Sequence, residues 1–286
     1  MKDRICMITG ANSGIGKATA LGLAKSGATV VMVCRNQGQG ETAQTEIKAP
    51  SGNESVDLML ADLASQESVR RLVKDFKDRH QHLHVLINNA GTYLTKRQVT
   101  VDGIETTFAV NYLARFLLTN LLLDTLKNSA PTRIIDVAGA YHSKGSIYFD
   151  DRQGEKDYDG ARANNQSKLA NVLFTYELAR RLKGTGVTAN CLHPGAVATS
   201  LVEKDPDYPS SMRLLYKLFK PFLKSPEKGA ETSIYLASSP EVEGITGKYF
   251  VSKKEAKSSK ESYDESVSRR LWEVSAKLTK MYENAT

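Results

Sequence analysis

A glycine-rich turn near the start of the chain, Thr9-Gly10-Ala11-Asn12-Ser13-Gly14-Ile15-Gly16, is the first group of residues with chemistry to offer. It follows a short apolar run, Ile5 to Thr9, and opens an amphipathic stretch, so it reads as a strand–turn–helix joint. Glycines at such a joint let backbone approach a pyrophosphate closely, and the helix start adds unpaired N–H groups and partial positive charge. The next apolar run ends in Cys34-Arg35-Asn36 and carries no acid. A carboxylate there would hydrogen-bond ribose hydroxyls, whereas a cation suits a 2′-phosphate. Arg35 can meet such a phosphate with two N–H groups, and Lys17 follows the glycine turn. The pattern predicts a dinucleotide site that favours NADP(H).

These residues meet only if a sheet gathers the turns that follow its strands. Strands are predicted at Ile5 to Thr9, Thr29 to Cys34, Val56 to Leu60, Val85 to Asn88, Arg133 to Val137 and Val187 to Leu192. Between them, Lys17 to Lys25, Ser65 to His80, Val101 to Leu126 and Ser167 to Lys183 repeat apolar residues at three- and four-residue spacing. Near-continuous apolar strands alternating with helices imply a parallel sheet covered on both faces. The expectation is a single α/β domain over residues 1–286, a doubly wound Rossmann-type sheet. Residues 201–228 interrupt the alternation with prolines and a basic, apolar segment, placed where such folds shape a substrate site.

Composition narrows the classes further. Hydrophobic residues make up 41% and charged residues 25% of 286 positions, which excludes a disordered chain, a collagen and a membrane bundle. No window of eighteen apolar residues encodes a transmembrane helix, and Met1 to Arg4 runs straight into the first strand with no leader pattern. Cys6, Cys34 and Cys191 are odd in number and lie in apolar runs, as buried thiols in a reducing compartment would. A cytoplasmic chain is expected. The net charge of +7 reads as a solvated surface, and neither nucleic acid nor a metal is expected as a partner.

The glycine turn, with three residues between its first two glycines, resembles the short-chain dehydrogenase/reductase family, whose motif is Thr-Gly-x-x-x-Gly-x-Gly. Asn88-Asn89-Ala90-Gly91 matches that family's Asn-Asn-Ala-Gly, and His193-Pro194-Gly195 its Pro-Gly motif. Gln166 to Thr175 and Glu243 to Phe250 are similar to its retinol dehydrogenase branch. The resemblance implies cofactor-binding roles for Gly10, Asn12, Ser13, Gly14, Ile15, Gly16, Lys17, Arg35, Asp62, Leu63, Asn89, Ala90, Gly91, Lys168, Pro194, Gly195 and Thr199. In it, Asp62 contacts the adenine amino group, Lys168 binds the nicotinamide ribose, and Thr199 bonds the carboxamide. Asn111 stands where the family keeps an active-site asparagine. A homodimer is the default among such relatives.

The departures from the family are as informative as the matches. Hydride transfer to a carbonyl needs a proton donor at the oxygen as negative charge develops. The family's donor is the tyrosine of Tyr-x-x-x-Lys, assisted by a serine after the fifth strand. Counting back from Lys168 places Asn164 at the tyrosine, and aligning Arg133 to Val137 places Ala138-Gly139 at the serines. An amide donates hydrogen bonds but has no proton to transfer near neutrality. Tyr141, just past the lost serine, is the first substitute acid to consider; His142, Tyr158 and His193 rank below it.

Met212, Leu215, Leu218, Phe219 and Phe222 form an apolar stripe with Lys217, Lys220 and Lys224 at its margin. The stripe reads as a lid over an apolar pocket, with peripheral contact to an anionic membrane as the sharper alternative. The leading expectation is an NADP(H)-binding oxidoreductase relative acting on a bulky lipophilic ligand through a non-standard site, with Asn111, Lys168, Asn164 and Tyr141 as its catalytic candidates. A cofactor- or ligand-binding protein without catalysis is the first alternative, and non-redox chemistry on a lipophilic ligand the second.

Overall fold

The structure, a computed structural model, describes residues 1–197 and 223–281, together with Asp207, Ser210, Arg213, Leu214, Tyr216 and Lys220 between them. Thr199 and most of the 201–228 stretch lie outside the described residues, Met212, Leu215, Lys217, Leu218, Phe219 and Phe222 included.

Apolar strand sequences such as Cys6-Met7-Ile8 and Val30-Val31-Met32 are buried on both faces, so each strand needs a helical layer on either side. Eight strands meet that demand in one sheet: β1 (Ile5–Thr9), β2 (Thr29–Cys34), β3 (Val56–Leu60), β4 (Val85–Asn88), β5 (Thr132–Val137), β6 (Val187–His193), β7 (Tyr249–Val251) and β8 (Lys254–Ala256). Their order is β3-β2-β1-β4-β5-β6-β7-β8, with every neighbouring pair parallel except β7 with β8. The chain therefore winds outward from β1 in one direction and then returns to wind outward from β4. That reversal opens a crevice at the strands' C-terminal edge between β1 and β4.

On one face lie α1 (Gly14–Lys25), α2 (Gln37–Ser51) and, near the end of the chain, the helix Pro226–Ser238. The other face carries α3 (Gln66–Arg79), α4 (Thr106–Phe108), α5 (Ala114–Leu121), α6 (Leu123–Asn128) and α7 (Gly160–Arg181). With α8 assigned to Pro226–Ser238, the last helix is α9 (Glu265–Leu278), which packs Trp272 against Phe116 and Phe174 of this second layer.

The six predicted strands appear within a residue of their expected bounds. Strands β7 and β8 were not anticipated: each is three residues long, and β8 is exposed at the edge, too short to show an alternating pattern. Ser252 and Lys253 join them with both φ values positive, the mirror-image turn whose twist suits a hairpin. The stretch expected as one helix from Val101 to Leu126 is instead α4, a π-turn over Ala109–Leu113, α5 and α6. The π-turn has Asn111 at its centre.

Candidate active site

Asn111 shows how the site is built. Its amide nitrogen donates to the Thr92 carbonyl and to the Ser167 hydroxyl, both at 3.0 Å, while the Thr92 N–H donates to its Oδ1 at 2.6 Å. The wide turn frees Asn111 to reach the loop after β4 and helix α7 together, a use to which π-turns are often put. With all three bonds made, Asn111 is fully buried and holds the framework.

The glycine turn leaves β1 and enters α1 as expected. A Cβ at Gly16 would lie 2.2 Å from the Gly10 carbonyl oxygen, so only glycine lets the helix start this close to the strand end. Asn89 fixes the neighbouring turn: its side chain donates to the Thr9 carbonyl at 2.8 Å, and the Asn89 and Ala90 N–H groups both donate to the Thr9 hydroxyl at 3.0 Å. Ser13 stands at the N-cap position of α1, followed by Gly14 and Ile15 in its first turn. Asn12 donates to Gln39 of α2 at 3.0 Å. The start of α1 thus lies at the C-terminal edge of the sheet, beside the turn after β4, an arrangement that fits a pyrophosphate.

Around this cradle, Arg35 is exposed at the end of β2, and Lys17 is paired with Glu46 of α2. The Asp62 carboxylate accepts from the Ala64 N–H at 2.9 Å, and Ser65 caps α3, which leaves the other Asp62 oxygen outside the cap. Leu63 is partly buried beside it. Pro194 and Gly195 follow β6, and the Gly195 N–H donates to His193 Nδ1 at 3.3 Å. The expected cofactor residues within the described part of the chain thus follow β1, β2, β3, β4 and β6 at one edge of the sheet, with Lys168 on α7.

Lys168 and Asn164 lie one turn apart on α7, and both are partly exposed. Burial, reinforced by the Arg115 guanidinium, pushes the Lys168 amine down to about 7. Gly139 has φ +119° and ψ 165°, a conformation that is essentially glycine-only. The backbone at the expected serine position is therefore shaped for a residue without a side chain.

Tyr141 is 57% exposed, with its ring 5.9 Å from the Lys144 ammonium. His142 is buried; its Nδ1 lies 2.7 Å from the Gly139 carbonyl, and the Ser259 N–H donates to its Nε2 at 3.1 Å. Both ring nitrogens are thus used in the neutral form, and burial lowers the pKa. The Tyr158 hydroxyl is held by the Leu94 carbonyl and Glu105, each at 3.2 Å. None of the described residues forms a group of three metal-ligating side chains.

Two residues of the site floor escaped the sequence reading. Arg115 on α5 and Asp136 on β5 pair at 3.5 Å, both out of water. Asp136 also accepts from Asn88 at 3.0 Å and Thr175 at 2.9 Å. The signal was present: each charge interrupts an apolar run, Leu113-Ala114-Arg115-Phe116 and Ile134-Ile135-Asp136-Val137. A groove of about 990 Å³, lined in part by Arg4, Arg133, Arg180 and Lys183, lies at the opposite, N-terminal edge of the sheet, away from these groups.

A glycine cradle at the head of β1, an Asn-Asn-Ala-Gly turn after β4 and a lysine on α7 define a class of dinucleotide-dependent proteins. The short chain dehydrogenase family profile matches residues 4–208, and the chain belongs to that family. Within it, the chain falls in the retinol dehydrogenase branch. It is 46% identical to retinol dehydrogenase 11 of Mus musculus over 278 residues, covering 97% of this chain and 87% of that one. Identity to human retinol dehydrogenase 14 is 45%, covering 96% and 86%. Among solved structures, an uncharacterized protein from Mycobacterium paratuberculosis superposes with a TM-score of 0.78 at 31% identity, covering 98% and 94%. RhlG of Pseudomonas aeruginosa, solved with NADP in its active site, superposes at 0.68 with 25% identity, covering 87% and 94%. The fold binds a nicotinamide cofactor.

Proposed function

We propose that the chain binds NADP(H) together with a lipophilic aldehyde, ketone or alcohol, and that hydride transfer in it proceeds without a hydroxyl proton donor. NADP(H), when bound, supplies the hydride donor or acceptor. The preference for the phosphorylated cofactor is supported by the exposed Arg35 and by the lack of an acid at the end of β2. The lipophilic ligand is suggested by the names of the relatives, which are retinol dehydrogenases.

The observation that carries the reading is the pair Gly139 and Asn164. Both lie beside Lys168, and neither has an ionisable hydroxyl. Loss of general acid catalysis costs roughly 10²–10⁴ in rate. Three of the candidate substitutes are committed elsewhere: Tyr141 is largely in solvent, Tyr158 is tied to Leu94 and Glu105, and His142 spends both nitrogens on backbone. These placements favour ligand binding with slow turnover over a substitute donor.

The test is a fluorescence titration with NADPH and NADH, followed by NADPH absorbance in the presence of long-chain aldehydes. Saturable binding that favours NADPH is expected, with absorbance loss barely above that in protein-free buffer. Rapid loss abolished by Tyr141→Phe would overturn the unassisted site, and a failure to bind NADPH would overturn the cofactor assignment.

A further inference from the structure

We propose that Lys168 forms an imine with a lipophilic aldehyde in the cleft that Asn164 and Gly139 leave without hydroxyls; this rests on the ligand class proposed above. The Lys168 side chain runs between two turns that carry no side chain at its level. A Cβ on Gly91, after β4, would lie 3.8 Å from Nζ, and one on Gly139, after β5, would lie 4.0 Å from Cδ. Neither turn therefore sets a side chain of its own against the amine, and the nearest neighbour on the Gly91 side is the Asn111 amide oxygen.

Nζ has no hydrogen-bond or ion-pair partner among the described residues, and the residue is partly exposed. One turn earlier on the same helix face, the Asn164 amide is also unpartnered and partly exposed. It can donate to the carbonyl oxygen and then to the hydroxyl that replaces it. Burial and the neighbouring Arg115 favour the neutral amine, the nucleophilic form. A tyrosine and a serine hydroxyl would instead hold the oxygen for hydride delivery, and both are missing.

The reaction is redox-neutral. The nitrogen lone pair attacks the carbonyl carbon, the C=O π pair moves to oxygen, and a proton passes from nitrogen to that oxygen. The resulting carbinolamine loses its C–O bond and one N–H proton as water, leaving C=N. No oxidant or reductant is consumed. An amine held in an imine cannot also bind ribose hydroxyls, so dinucleotide and aldehyde compete for Lys168.

The experiment incubates the full chain with decanal and cyanoborohydride near neutrality and maps modified lysines by peptide mass, with and without NADP⁺. Exposed Lys254 serves as an internal comparator. Lys168 should be modified at least about tenfold faster than Lys254, consistent with an amine well below the ordinary lysine range. NADP⁺ should suppress modification of Lys168 alone, and Lys168→Arg should remove the fast phase. Decanol binding, measured by calorimetry, is the second arm. Decanol binding with Lys168 modified no faster than Lys254 overturns the imine and leaves the ligand class standing. No decanol binding and no fast modification overturns both.

Discussion

Arg115 and Asp136 face each other at 3.5 Å beneath the cleft, their side chains 3% and 0% exposed, and join α5 to the central strand β5. Burial pushes the Asp136 carboxyl up, opposed by Arg115, Thr175 and Asn88, so the carboxylate depends on its neighbours to stay charged. Removing one partner strands a buried charge. Arg115→Met should cost about 3–5 kcal/mol in urea unfolding, whereas Arg115→Met with Asp136→Asn should cost far less because no charge is left unpaired. Equal losses in the single and double variants would contradict this account.

The proposed preference for NADP(H) draws on two cations in different states. Arg35 is exposed at the end of β2, while Lys17 is paired with Glu46. Arg35→Asp should reverse the preference from NADPH to NADH. Glu46→Gln should free Lys17 and tighten NADPH by up to about fivefold, the scale of an exposed ion pair, with little effect on NADH. Fluorescence titration of both variants with both nucleotides reads the outcome.

A dinucleotide held by Lys168, as proposed, should bind with a pH dependence of defined direction. Its amine is held near 7 in the free protein against an ordinary 10.5. Between those values the unfolded chain binds a proton that the native chain does not, so this group's contribution to stability declines as pH falls from 10.5 toward 7 and is constant below. An anionic dinucleotide favours the ammonium form, so binding takes up a proton and affinity falls as pH rises above 7. Calorimetry at pH about 8 in two buffers of different protonation heat should show fractional proton uptake, absent in Lys168→Met.

The doubly wound sheet was legible because its strands are long apolar runs separated by turns with recognisable glycines. The cradle was legible for the same reason, since Thr9 to Gly16 lies within one continuous stretch of sequence. The last hairpin was not, because three-residue strands carry no periodicity and Ser252-Lys253 has no glycine to mark its turn. The break around Asn111 was hidden in an unbroken apolar pattern, because the side chain that exploits the π-turn finds its partners at Thr92 and Ser167, distant in sequence. The Arg115–Asp136 pair was likewise invisible as a pair, although each member stood out as a charge in an apolar run. The state of Gly139 is a backbone angle, which residue type suggests but does not specify.

That angle shapes the last prediction, the restoration of a proton donor. Asn164→Tyr places a phenol one turn from Lys168 on a partly exposed helix face. NADPH oxidation with a lipophilic aldehyde should then rise at least about 10²-fold over the parent. Gly139→Ser is different, because φ +119° and ψ 165° is a region that residues with a Cβ enter only at about 1–3 kcal/mol. The serine variant should melt lower by roughly 2–10 °C, and combining it with Asn164→Tyr should add little rate, since its Cβ would sit 4.0 Å from Lys168 Cδ on a strained backbone. A double variant much faster than Asn164→Tyr alone would mean that the β5 turn relaxes to the serine-bearing form. A parent already as fast as Asn164→Tyr would mean that another group donates the proton, and Tyr141→Phe would then have to abolish turnover, although Tyr141 stands 57% exposed with its ring against Lys144.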